Sequence, residues 1–354
     1  MKWRLGPSLL RVKDSLWQIM QLVLAAGTSY FIARYGLGHP VPLLAVTVAI
    51  SSLGFSRDTR PGRVASTALA MVIGVAISET MLLSFGSGTV QLSAAIAVAL
   101  LLARFISPNP AFALTVAIQA VLVQMLQAPT GGDYARAVDG LVGGLVALLF
   151  TALIPRNPIK LARSDSRALF LVFKQTLGEL RQVLISPDPI TADQALDRIR
   201  KTQPLIDNWR STLESAAAIT KVSPFYHWAQ KQIQDQQFLF TGMDLATRNL
   251  RVVTRRIDYL VKDGQPREQL AALLSKLVIA VDLLEQSVDD FSMRAKARKY
   301  LERMERQLHP DNFEPRLSLS EAVVLMQIRP MVVDLLVASG MEAERARSLL
   351  PKVD

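Results

Sequence analysis

The chain has 354 residues, half of them hydrophobic, with 40 Lys and Arg against 30 Asp and Glu and a net charge of +10. It has no cysteine, and its three histidines, His39, His227 and His309, lie far apart, so a disulfide or thiolate metal site is excluded and neither a metal centre nor a cofactor is expected. The positive charge would suit nucleic acid in a soluble protein, but much of it sits in short loops beside apolar blocks; there membrane orientation accounts for it, and no nucleic-acid partner is expected.

Composition changes abruptly along the chain. Between Leu16 and Ile154 the only acids are Asp58, Glu79, Asp133 and Asp139, whereas after Asn157 the sequence is ordinarily charged. That shift predicts a membrane domain over 1–159 and a water-facing domain over 160–354. Lys2, Arg4, Arg11 and Lys13 precede the first apolar run as in a secretory signal, but the run is long enough to cross a bilayer. Hydropathy and Gly/Pro/Ser turns predict six membrane helices at about 16–35, 42–55, 63–85, 89–106, 110–127 and 136–154. Basic residues set their orientation. Lys2, Arg4, Arg11, Lys13, Arg57, Arg60, Arg63, Arg104, Arg156, Lys160, Arg163 and Arg167 fall on one side, and only Arg34 and Arg136 on the other. The first side is predicted to be the cytoplasm, with both termini inside and the protein in the cell membrane.

The apolar half repeats itself. Pro40-Val41-Pro42-Leu43-Leu44-Ala45-Val46-Thr47-Val48-Ala49-Ile50 aligns without a gap to Pro108-Asn109-Pro110-Ala111-Phe112-Ala113-Leu114-Thr115-Val116-Ala117-Ile118, with seven identities in eleven positions. The next helices open with Arg63 and Arg136, followed by small residues at four-residue steps: Ala70, Gly74 and Ser78 in one, Gly143, Ala147 and Thr151 in the other. Gly140 and Gly144 add a close-packing pair, and such stripes often serve helix packing alone. Three helices per copy turn the second copy upside down. The expectation is an all-α protein, with a six-helix transmembrane domain built as an inverted 3+3 repeat and a cytoplasmic helical bundle behind it, a plan that recurs in transporters.

The proline-led second and fifth helices, the arginine-led small-residue helices and the ending Ala152-Leu153-Ile154-Pro155-Arg156 give the region 15–160 a resemblance to the fusaric acid resistance protein-like family, which includes aromatic acid exporters. The order of six helices and a helical cytoplasmic domain is also similar to plant aluminium-activated malate transporters. The resemblance implies passage of organic anions, often aromatic acids, and assembly of two six-helix units, here a homodimer or higher homo-oligomer in lipid.

Within this plan, Pro40, Pro42, Pro108 and Pro110 either simply initiate helices or begin two half-length helices whose positive ends face a central anion. Thr47 and Thr115 are repeat mates; with Gln119 one turn after Thr115 they are predicted to face a polar pathway, although a threonine also bonds its own helix backbone. Arg63 and Arg136 carry guanidinium forks matched to a carboxylate, with headgroup anchoring as the plainer reading. Glu79 and Asp139 are the acids at membrane depth: Glu79 is expected to reach water and Asp139 to pair with Arg136, and either offers a proton-coupling site.

The second half predicts long amphipathic helices at 167–185, 192–218, 225–262 and 319–339, and a heptad-like row from Leu270 to Phe291, with Phe225, Tyr226 and Trp228 in the core. The basic stretch Arg294–Arg306 is expected as a solvated face, with anionic headgroups as an alternative. No phosphate-binding loop, zinc-protease helix or nucleophile elbow occurs in the sequence, so an enzyme is not expected. The function predicted is an exporter or channel-like permease for organic anions; the alternative is a non-transporting scaffold or sensor whose cytoplasmic bundle binds a partner.

Overall fold

A computed structural model describes residues 5–55, 60–126, 132–153, 158–223 and 226–352. Lys2, Arg4, Arg57, Asp58, Ile154, Pro155, Arg156, Asn157 and Phe225, all named above, lie outside the described residues, as do the ends expected at 127 and 154. All regular structure among the described residues is helical. The chain divides into two compact units: Met1–Asn157 with Ala218–Trp228, and Pro158–Ala217 with Ala229–Asp354.

Among the described residues the first unit holds the helices α1 to α6. Helix α1, Leu5–Phe31, continues into a π-helical turn, Ile32–Gly36. Its described part already includes Leu5, ahead of the expected 16. Then come α2, Leu43–Leu53; α3, Pro61–Phe85; α4, Thr89–Ile106; α5, Pro110–Met125; and α6, Ala135–Leu153. Among the described residues four stretches, Ser15–Gly36, α3, α4 and α6, are long and apolar enough to cross a bilayer. The 11 residues of α2 reach about 16 Å and the 16 of α5 about 24 Å, both short of a hydrocarbon core about 30 Å thick. Exposed Leu101, Phe105, Leu114 and Ile118 give this unit a large apolar surface, suited to lipid.

Packing inside the unit pairs α2 with α6, α3 with both α5 and α6, α4 with α5, and α1 with α2. Two glycines set the closest crossings. A Cβ on Gly74 would overlap the Val116 carbonyl and stand 2.9 Å from Gln119 Cβ; one on Gly143 would overlap the Ala45 carbonyl. Backbone meets backbone there, and the small-residue stripes serve helix packing.

The second unit is built from α7, Pro158–Ile185; α8, Pro189–Arg200; α9, Gln203–Val222, whose last residues belong to the first unit; α10, Gln230–Leu260; α11, Glu268–Gln286; α12, Ser292–Glu305; α13, Leu319–Ala338; and α14, Ala343–Ser348. Their apolar faces close over one core that includes Phe170, Phe173, Trp209, Leu250, Leu277 and Leu325. The single helix expected over 192–218 breaks at Lys201-Thr202, because Pro204 enters the first turn of α9 and cannot continue α8. The helix expected from 225 begins at Gln230, after a 3-10 turn over His227–Ala229. Helix α13 lies against α10, with Ala338 seated on Gly242. In α12, Arg294 turns to Asp235 and Arg298 to the Ser339 carbonyl, so part of the expected solvated face is internal. Trp228 was expected in a core; it is 70% exposed, with its ring stacked near Tyr226.

Candidate functional site

Proline sets the two helix starts that matter most. Pro61 occupies the first turn of α3 and Pro110 that of α5, where a missing N–H costs nothing. Asn109 caps α5, its side-chain oxygen accepting the Ala111 N–H at 3.0 Å. Both starts line one cavity of about 610 Å³, walled by Arg60, Gly62, Arg63, Ser66, Thr67, Ala70, Asn109, Ala111, Phe112 and Thr115. The segments before α3 and before α5 therefore lie at the same end of the unit. Two helix N-termini bring partial positive charge to this cavity, two guanidinium groups bring full charge, and hydroxyls and an amide supply further donors. Phe112 adds an aromatic wall. Such a lining suits an anion with an apolar body.

Arg63 also has a structural task. Its Nη2 donates to the Leu53 carbonyl at 3.0 Å and more weakly to that of Ser52 at 3.5 Å, closing the C-terminal end of α2. Thr67 and Thr115 each bond a carbonyl one turn back in their own helix, at 3.0 and 2.9 Å. Thr115 nevertheless lines the cavity. Thr47 does not; its hydroxyl reaches the Leu44 carbonyl at 3.4 Å. Gln119 is buried in the α3–α5 crossing, and its side-chain oxygen has no hydrogen-bond partner. Of the four prolines, Pro110 begins α5, Pro42 precedes α2 by one residue, and Pro40 and Pro108 accept hydrogen bonds from Arg34 at 2.5 Å and Arg104 at 2.7 Å.

A second cluster of buried charge gathers where α2 and α6 begin. Glu79, fully buried, was expected to reach water; its two oxygens instead accept the backbone N–H groups of Arg136 at 3.3 Å and Ala137 at 3.0 Å. It thereby caps the start of α6 from another helix. Arg136 Nη1 donates to the Val123 carbonyl at 3.2 Å, closing the end of α5 as Arg63 closes α2. Asp139, expected to pair with Arg136, meets His39, with Nδ1 and Oδ1 2.6 Å apart. Ser78 donates to the Ala120 carbonyl at 2.7 Å, and Gln124 reaches the Ser78 carbonyl at 3.4 Å. Sequence reasoning missed His39 as a site residue. Its place beside Pro40, at the head of the repeated motif, was the available signal.

Comparison with known proteins agrees with this geometry in its broad class. An uncharacterized protein of Corynebacterium glutamicum is 27% identical over 350 residues, which cover 97% of this chain and 90% of that one. Proteins of Mycobacterium tuberculosis and Mycobacterium bovis, provisionally named arylamide transporters, are 22% identical over 241 residues, 66% of this chain and 68% of theirs. Residues 25–150, from the end of α1 through most of α6, match the profile of the family described as fusaric acid resistance protein-like.

Proposed function

We propose that this chain is a multi-pass membrane transporter that exports organic anions, aromatic carboxylates foremost, with both termini and the second unit in the cytoplasm. The observation that carries the reading is the cavity between the starts of α3 and α5, with Arg60, Arg63, two helix N-termini and the Phe112 ring. The charge bias of the short loops supports placing that end inside the cell. A transporter reading is further supported by the mycobacterial relatives, which carry the provisional name of arylamide transporter.

An inverted 3+3 repeat is the architecture we infer for the membrane unit. Its support is the gapless eleven-residue match and the matching neighbourhoods. Helix α2 packs on α6 as α3 packs on α5, and α1 on α2 as α4 on α5. Arg63 and Arg136, mates in the repeat, each hold the last carbonyls of the preceding short helix. In this reading α2 and α5 are half-length helices entering from opposite faces, and the unit works as a dimer or larger assembly of identical chains.

The test is flux in proteoliposomes. Terephthalate, a dicarboxylate that does not leak through lipid, is assayed beside benzoate, malate and neutral acetanilide. Saturable terephthalate flux that weakens in Arg60→Gln and Arg63→Gln supports the proposal. Flux of acetanilide alone, indifferent to both substitutions, would overturn the anion class. No flux of any probe from well-folded protein favours a scaffold or sensor.

A further inference from the structure

Among the described buried charged groups of the first unit outside the cavity at the starts of α3 and α5, the His39–Asp139 contact is the one with no structural task that an uncharged pair would not perform. Glu79 is committed: both of its oxygens hold backbone N–H groups of α6, and a proton on it would weaken that cap. Arg136 is committed to the Val123 carbonyl. Arg34, on the π turn after α1, holds the His39 and Pro40 carbonyls, at 3.4 and 2.5 Å, and so fixes the segment before α2. These are the charged groups around Asp139: Arg34 from the π turn, Glu79 from α3 and Arg136 from α6 itself. Helix α2 contributes none. His39 keeps 14% of its side chain accessible and Asp139 5%, so the imidazole is the half of the pair that water can reach.

Resting on the transport reading, we propose that His39 and Asp139 are the proton-carrying pair that couples anion export to proton entry. Nδ1–H of His39 donates to the ionised Asp139. Nε2 takes a proton from water, and the pair becomes imidazolium and carboxylate, neutral in sum and held by a charge-assisted bond. Release of that proton to water on the other side returns a neutral imidazole beside a buried negative charge, a weaker attachment. The pair therefore ties the segment before α2 to α6 when it holds the proton and loosens it when it does not.

The anion cavity feels this through α2. His39 lies just ahead of that helix, while the carbonyls at its far end, Ser52 and Leu53, are held by Arg63, which lines the cavity. One rigid helix of about 16 Å thus links the proton site to an anion-site guanidinium.

The experiment is efflux of terephthalate from proteoliposomes with the interior held at about pH 7.5 and the exterior at about pH 7.5 or about pH 6, so that an inward proton gradient is absent or present. The ratio of the two rates is the readout. Wild-type protein should show a ratio well above one, His39→Gln and Asp139→Asn a ratio of one, and Asp139→Glu a ratio above one. Glu79→Gln should lower thermal stability yet keep the wild-type ratio. If Asp139→Asn does not fold, His39→Gln, which leaves the carboxylate in place, decides. A wild-type ratio of one, or a wild-type ratio in His39→Gln, overturns the proton role while leaving the transporter standing. Absence of wild-type efflux under both conditions sinks the transport reading itself.

Discussion

Replacing Glu305 with glutamine should remove a pH dependence from the second unit. Glu305 ends α12, is fully buried, and neither carboxylate oxygen has a hydrogen-bond partner. Burial pushes its carboxyl up from an ordinary 4.5 to about 7, against the pull of the nearby Arg329 guanidinium and with a push from Glu302. The native carboxyl thus holds its proton more tightly than the unfolded one. Stability is unimpaired below pH 4.5, falls as pH rises, and has lost this contribution once pH passes 7. The full loss is worth at most about 3 kcal/mol. Asp334 acts in the same sense, raised from 3.8 to about 6 by burial although Asn249 donates to it. Above pH 6, therefore, Glu305 dominates the remaining slope. Thermal unfolding of the full chain in detergent, followed by the fluorescence of buried Trp209, reads the effect from about pH 5 to about pH 8. The advantage of Glu305→Gln over wild type should grow across that range by as much as about 3 kcal/mol, or several degrees in midpoint. Parallel wild-type and mutant curves would refute the reasoning, whatever their absolute offset.

If the proposed anion route runs through the cavity at the starts of α3 and α5, Arg63→Gln should raise the terephthalate KM about 10- to 100-fold, as loss of a charge-assisted bond of about 1.5–3 kcal/mol implies. Arg60→Gln, at the cavity rim, should do so by less; a KM unchanged in both would remove the cavity from the transport path. Gly74→Ala and Gly143→Ala each press a methyl into a facing carbonyl and should lower thermal stability by about 1–3 kcal/mol. Gly27→Ala, with nothing within 4 Å of the new methyl, should not, and melting curves of the three variants separate the cases. Glu79→Leu leaves two buried N–H groups at the start of α6 without their acceptor, a loss of about 1–3 kcal/mol each, and the melting midpoint should fall further than in Glu79→Gln.

The lengths and apolar character of α3, α4 and α6 were legible because hydropathy is a local property, and α2 was already visible as short. Two of the residues that line the cavity at the starts of α3 and α5, Arg63 and Thr115, had stood out in the repeat. Partnerships between distant residues were not legible. Asp139 had Arg136 one turn away, and helical spacing alone made that the natural ion pair; His39, 100 residues earlier, took the place. Glu79 looked like a residue near a helix end because a linear sequence does not show that the start of α6 sits over it. The fate of Trp228 was obscured for a similar reason: hydrophobicity predicts burial on average, whereas membrane-associated units keep large apolar side chains outside. The break at Thr202 is a different case. Pro204 announced it, and only the apolar periodicity on either side hid it.

The two short helices explain why arginine, rather than lysine, stands at positions 63 and 136. A helix that ends inside a low-dielectric layer leaves its last carbonyls without water, and each needs a donor from elsewhere. A point-like ammonium would satisfy one acceptor geometry at a time. A planar guanidinium offers five N–H groups in a fixed fork, so one side chain can hold a helix end and still face a cavity. Arg63 does both, closing α2 and lining the space beside Phe112. Holding the helix end fixes the position and orientation of the fork before any anion arrives, which reduces the ordering that binding would otherwise require. Under the transport proposal, the same bond that closes a short helix also presents a rigid positive group to the cavity, and whatever moves α2 must also move that group.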